Sequence, residues 1–279
     1  MDFAKQWVID LLNQIVKTID YFEEIITSIM GINIADAGII TTGIESAALA
    51  LAGLFLAMEM ISLISDFRFE RIEDAIRLWI KVLFAKIIIE NSSSIIGGIY
   101  DLFRNLGSNS ISEGFNAVKG SVYSLADPDG LIESYKGLLG IGYVLSWIVL
   151  LIVNIIVVVM LIMITIEIFG ITFEIGIHQA IGPIAISTLC NSTARSTGIA
   201  FIKSYAAVCL QTTVIGVIFK VYAAFSSHLK SNSQFITDTV SSGGPFGLLI
   251  SMLSPMMALA VLCVTVKKSS DLTKRMFGA

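Results

Sequence analysis

Between Leu138 and Ile166 the chain reads "LLGIGYVLSWIVLLIVNIIVVVMLIMITI", without one charged side chain. A hydrocarbon core about 30 Å thick is crossed by about 20 apolar residues in a helix, because lipid offers the backbone no hydrogen-bond partners. This run is longer than that, so it predicts a membrane helix that tilts or protrudes. The whole chain follows suit: 55% of its residues are hydrophobic, 14% are charged and its mean hydropathy is +0.84. An ordinary soluble domain carries about 25% charged residues. Almost no sequence remains for a separate folded domain outside the bilayer. The predicted fold class is all-α, a polytopic transmembrane helical bundle of about five spans, with an N-terminal amphipathic helix and a re-entrant or interfacial segment.

The N-terminal stretch, 1–38, differs from the rest. Phe3, Trp7, Leu11, Ile15, Ile19, Phe22, Ile26 and Ile29 recur at three- and four-residue steps, with Asp10, Lys17, Asp20, Glu23 and Glu24 between them. That period predicts an amphipathic helix, lying at the interface or packed on a neighbouring subunit or on its own bundle. The same residues lack the basic start, compact apolar stretch and small-residue cleavage site of a signal peptide, so the first span is expected to serve as an uncleaved signal.

Residues 39–100 hold spans one and two. Span one, "IITTGIESAALALAGLFLAMEMISLIS", runs from Ile39 to Ser65, and its Gly43 and Ala47 have the spacing that lets helices approach closely. The charged "DFRFERIEDAIRLWIK" separates it from span two, Leu78 to Tyr100. Lys81, Lys86 and Glu90 of span two must snorkel or face the bundle interior. Residues 101–136 are polar and end in "DPDG" turn chemistry, which predicts a loop outside the bilayer, although "ISEGFNAVKGSVYSLA" has room for one short helix. Residues 137–266 hold three further spans. Within them, 169–198 is expected to form an interfacial elbow, bent back at Gly182-Pro183. A basic tail, 267–279, follows.

Charge sets the orientation. With five spans, Arg68, Arg71, Arg77, Arg195, Lys203, Lys267, Lys268, Lys274 and Arg275 share one side, and the acidic N-terminus and the 101–136 loop share the other. That partition satisfies the positive-inside rule, with the N-terminus outside and the C-terminus in the cytoplasm; six spans would violate it at the most basic end. The net charge of −4 gives no general footprint for nucleic acid.

The chemistry-bearing residues are few. Glu45, Glu59, Glu90, Glu167 and Glu174 lie in or near spans, where an ionisable group costs about 2.5–3.5 kcal/mol to insert and must face something polar. Interhelical hydrogen bonding, a subunit interface, and an ion or proton path all remain open for them. Glu174 and His178 stand four apart, as two metal ligands would, but no third ligand is near. No Walker, Rossmann, GxSxG or HExxH pattern is present, so no enzymatic activity and no cofactor are expected. Asn154 and Gln211 read as polar glue between helices, Met252, Met256 and Met257 as flexible packing, and Cys190, Cys209 and Cys263 as small buried hydrophobes. "SSGGP", Ser241 to Pro245, reads as a turn.

In layout, the chain resembles the TrbL-type polytopic inner-membrane subunits of type IV secretion and conjugation machines. The likeness is carried by an N-terminal helix, two spans, an outside loop and three spans ending in a basic tail. Within 167–215 it is carried by Glu174 before an apolar stretch, Pro183-Ile184-Ala185, a small polar linker, Phe201 with Lys203, and Gln211 in the next span. The resemblance implies a non-enzymatic channel or scaffold subunit in the bacterial cytoplasmic membrane. Its implied partners are copies of itself, other secretion subunits and their ATPases, membrane lipid, and DNA or protein in transit. With His178 and Gly182 of the elbow, which the residues themselves single out, the candidate site residues on this reading are Glu174, Pro183, Lys203 and Gln211. A small secondary transporter or ion channel, using Glu45, Glu59 and Glu90, is the alternative, though internal repeats and paired broken helices are not seen. A purely structural subunit of another export or phage-related system is a third.

Overall fold

The computed structural model describes residues 2–32, 42–65, 72–125, 141–231 and 256–276. Helices make up nearly all of it, and no strand occurs among the described residues. In chain order they are α1 (Asp2–Gly31), α2 (Thr42–Ser65), α3 (Ile72–Glu90), α4 (Ser92–Leu125), α5 (Ile141–Ser187), a 3-10 turn (Thr188–Cys190), α6 (Arg195–Ser231) and α7 (256–276). Among the described residues, three stretches are long and apolar enough to cross a membrane: Gly43–Ser65, Trp147–Cys190 and Arg195–His228. Trp79–Glu90 and Ser94–Gly120, joined at a bend of 55°, make a fourth if they are one broken span. Of the predicted last span, 246–255 lies outside the described residues, as do "SSGGP" and "DPDG". The rest continues as α7 through the basic tail to 276.

The chain divides into two compact units, one drawn from Met1–Met30, Leu106–Phe169 and Thr213–Ser269, the other from Gly31–Asn105, Gly170–Thr212 and Ser270–Ala279. In the first, α1 is the amphipathic helix its periodicity predicts. Leu12, Ile15, Ile19, Ile26 and Met30 are buried along one face. Its acidic residues are used inside the chain: Lys119 of α4 binds Asp20 and Glu23 at 2.8 Å each, and the Ser112 hydroxyl donates to Glu23 at 2.7 Å. Alongside, Phe115 stacks on Phe219 of α6 with ring centroids 5.3 Å apart, over Gly114, where a Cβ would collide with the Phe219 ring. At Gly216 the α6 backbone meets that of Gly107 so closely that a Cβ would lie 2.7 Å from the Gly107 carbonyl oxygen. Only glycine fits such a crossing.

Three expectations are corrected. Span two is not one uninterrupted helix: α3 ends at Glu90 and α4 begins at Ser92. Asn91 Nδ2 donates to the Ile87 carbonyl at 2.8 Å and Ser92 Oγ to Ile89 at 2.7 Å, and such back-bonding competes with the helix ladder and bends it. The expected 101–136 loop is instead helical as far as Leu125. Its polar side chains find partners, as in the Lys119 clasp and the Arg104–Asp101 pair at 3.5 Å. Finally, no break occurs at Gly182-Pro183, and α5 continues through both to Ser187. The Pro183 ring removes one ladder bond, which neighbouring helix can absorb. Gly182 is a contact point, since the Ile96 Cδ1 atom occupies the space its Cβ would take.

The helix stops a turn later. Ser187 Oγ donates to the Ile184 carbonyl at 2.6 Å and Thr188 Oγ1 to Ala185 at 2.7 Å, satisfying acceptors at the helix end. The Asn191 Oδ1 atom then accepts from Thr193 N at 2.8 Å and Ala194 N at 3.4 Å, an Asx turn that leads into α6 at Arg195. At 1.5 Å per residue, the 47 residues of α5 amount to about 70 Å of helix, more than twice the hydrocarbon thickness.

Candidate functional site

Glu59 lies in the last third of α2, in a stretch whose other side chains are almost all apolar, and only 7% of it is exposed. A buried carboxylate with no partners would be untenable in hydrocarbon. Here both oxygens are occupied. Oε1 accepts from the Lys81 ammonium of α3 at 2.9 Å, while Oε2 accepts from the Ser192 amide at 3.0 Å and the Ser192 hydroxyl at 2.8 Å. One residue earlier in the turn, Asn191 Nδ2 donates to the Phe55 carbonyl of α2 at 3.2 Å. Three separate parts of the sequence therefore meet on one carboxylate: α2, α3 and the turn between α5 and α6. The charge of Glu59 is balanced by a lysine whose side chain remains 47% exposed.

This junction unites two features that the sequence presents separately. Glu59 stands out as an intramembrane carboxylate and 169–198 as an elbow. Lys81 also carries a readable signal, a cation in the apolar segment following one that holds an acid. The roles of Asn191 and Ser192 are missed: "NST" reads only as a polar linker, and nothing local says its amide and hydroxyl point at α2.

The other sequence candidates are dispersed. Glu174 is half-buried, and its backbone carbonyl lies 2.9 Å from His178 Nδ1, which therefore carries the proton as the donor. The His178 ring lies 5.5 Å from Phe201 and 6.1 Å from Tyr205, a packing role between α5 and α6. The adjacent Gln179 is fully buried; its Nε2 reaches Tyr205 Oη at 3.4 Å, and its Oε1 finds no donor among the described residues. Tyr205 Oη donates in turn to the Ile96 carbonyl at 2.7 Å. Gln211 is buried in α6, Lys203 is exposed on it, and Glu45 sits in the first turn of α2. Glu90 pairs with Lys86 at 3.8 Å with both side chains largely exposed. Among the described residues no three His, Cys, Asp or Glu side chains gather as a metal site would need.

Beside the Glu59 junction lies an open cavity of about 500 Å³. Lys81, Ser192 and Arg195 contribute its polar lining, and Phe84, Ile199 and Ile202 are among its apolar walls. Among the described residues no carboxylate lines it.

Comparison of the chain with protein-family models, with curated proteins and with solved structures found no match.

Proposed function

We propose that the chain is a membrane-embedded, non-enzymatic channel or scaffold subunit of a TrbL-like type IV secretion machine for conjugative DNA transfer. In this reading it oligomerises in the bacterial cytoplasmic membrane. It has five spans, with the N-terminus outside, the C-terminus in the cytoplasm, and the second span broken at Asn91. The layout of apolar and basic segments supports the family assignment. The observation that carries the structural role is the Glu59 junction: both carboxylate oxygens are consumed in joining α2, α3 and the α5–α6 turn. A carboxylate used in this way holds helices together. The length of α5 supports an assembly, because about 70 Å of mostly apolar helix exceeds what one bilayer crossing covers at ordinary tilts.

The test is affinity purification from the native host in mild detergent, with mass spectrometry of what accompanies the chain, together with a transfer assay in a gene deletion. The expected result is recovery of secretion ATPases and small membrane subunits, and loss of DNA transfer. A chain that purifies alone, with transfer intact in the deletion, overturns the reading. The competing proposal, a small transporter or ion channel, draws on the ion pair of Glu59 and Lys81 beside an open cavity. It requires a solute flux that Glu59→Gln abolishes in vesicles while the helices stay folded.

A further inference from the structure

We propose that the cavity beside Lys81 and Arg195 binds an anionic phospholipid, with the phosphate on the two cations and the acyl chains along the apolar walls. Its volume, about 500 Å³, falls within the roughly 300–1,000 Å³ common for small-molecule sites. Its position fits a lipid head group. The apolar stretch Trp147–Cys190 ends and Arg195–His228 begins at this turn, so the polar end of the cavity stands where membrane helices end.

Charge complementarity selects the ligand class. Lys81 and Arg195 line the cavity, and among the described residues no acidic side chain does. Glu59 takes one of the three ammonium donors of Lys81 and leaves the others available. Arg195 is exposed and has no acidic partner among the described residues. Its guanidinium fork suits a phosphodiester, which accepts two parallel hydrogen bonds. A zwitterionic lipid would bring its own cation toward these two. A free phosphate would leave Phe84, Ile199 and Ile202 with nothing to cover. Basic pockets between membrane helices bind anionic head groups, and a cation near an anionic membrane surface gains about fivefold in affinity. The inference needs only a membrane protein and holds whether or not the chain serves DNA transfer.

The experiment is native mass spectrometry of the full chain, released from detergent after titration with phosphatidylglycerol or with phosphatidylcholine of the same acyl chains. Phosphatidylglycerol is expected to be retained at about fivefold lower concentration or better. Arg195→Gln should erase about fivefold of that preference, whereas Lys203→Gln, which removes an exposed cation that does not line the cavity, should leave it unchanged. Ile202→Trp, which fills the apolar side, should weaken retention of both lipids. Three results of the lipid titrations would overturn the proposal. They are equal retention of the two lipids by the native chain, equal effects of the Arg195 and Lys203 substitutions, and inorganic phosphate alone displacing phosphatidylglycerol at millimolar concentration. Photocrosslinking from position 202 to a polypeptide in place of lipid would also overturn it.

Discussion

The Glu59 junction and the Gly107–Gly216 crossing fasten helices by opposite means. At the junction, a carboxylate, an ammonium, an amide and a hydroxyl satisfy one another where α2 and α3 meet the turn after α5. At the crossing two glycines let the backbones of α4 and α6 touch, with Phe115 and Phe219 stacked nearby and a largely exposed Lys220–Glu113 pair at 3.8 Å between the same helices. Lipid tails are as apolar as leucine, so burying apolar side chains between membrane helices gains little. Association then depends on close van der Waals packing or on polar groups that have nowhere else to go. The two regions use one of these each, and they should fail differently.

The crossing should be the less forgiving. A methyl group on Gly216 would meet Gly107 backbone atoms at 2.7, 2.8 and 3.2 Å, and backbone cannot rotate aside as a side chain can. Gly216→Ala is therefore expected to destabilise the protein by about 3 kcal/mol, at the upper end of the usual cost of overpacking. Gly120, also in α4, has open space where its Cβ would be, so Gly120→Ala should be neutral or stabilising by up to about 1 kcal/mol. Thermal melting in detergent distinguishes them, and a harmless Gly216→Ala would show that α4 and α6 do not approach as described.

The junction should fail in a pairwise way. Glu59→Gln leaves Lys81 without its counter-ion, and Lys81→Met leaves Glu59 with a charge and only the Ser192 donors. Each is expected to cost about 1–3 kcal/mol, below the figure for a fully buried pair because Lys81 is half exposed. The double variant should cost less than the sum of the singles, since neither charge is then stranded. Additive costs in the same melting assay would mean that the two side chains do not act on each other.

How far these regions can be read in the sequence follows from the kind of signal each leaves. The apolar runs predict α2, α5 and α6, and the three- and four-residue period predicts α1, because burial writes itself along the chain locally. The breaks do not. Pro183 is the residue that local preference marks as a helix end, yet α5 continues through it, while Asn91, within a predicted span, is where the chain bends. The outcome depends on side-chain bonds to backbone carbonyls, from Asn91 and Ser92 at one place and from Ser187 and Thr188 at the other. Likewise, 101–125 reads as a loop because it is polar, but its Ser112 and Lys119 are matched by acids of α1 almost a hundred positions earlier. Glu59 is conspicuous for its charge; Ser192, its main hydrogen-bond partner, is an ordinary residue in an ordinary linker, and only the tertiary fold gives it a role.

A milder contrast lies within the second unit, at Gln179 and Tyr205. Tyr205 Oη donates a 2.7 Å bond to the Ile96 carbonyl, so Tyr205→Phe should cost about 1 kcal/mol. Gln179 is fully buried with a long 3.4 Å bond and an idle carbonyl oxygen. Gln179→Leu should be neutral within about 0.5 kcal/mol or stabilising, because it removes a desolvated acceptor that earns no bond. A large loss on Gln179→Leu would indicate that Oε1 has a partner, such as an ordered water, and would make this a second polar fastening.

The smallest effect is expected at the Lys86–Glu90 pair, which has the chemistry of Lys81–Glu59 and sits on the same helix as Lys81. Its atoms are 3.8 Å apart and its side chains are 64% and 51% exposed. Glu90 adjoins the bend at Asn91, and Lys86 lies about a turn and a half before it. If water reaches that bend, Lys86→Gln and Glu90→Gln should each shift stability by less than about 0.5 kcal/mol, as for any solvated ion pair. If instead the pair faces hydrocarbon, either single substitution strands a charge and should cost about 2.5–3.5 kcal/mol, with the double substitution restoring most of it. The two substitutions thus measure how wet the bend in the second span is. A wet bend means that burial, more than charge, separates the lysine that fastens helices from the one that does not.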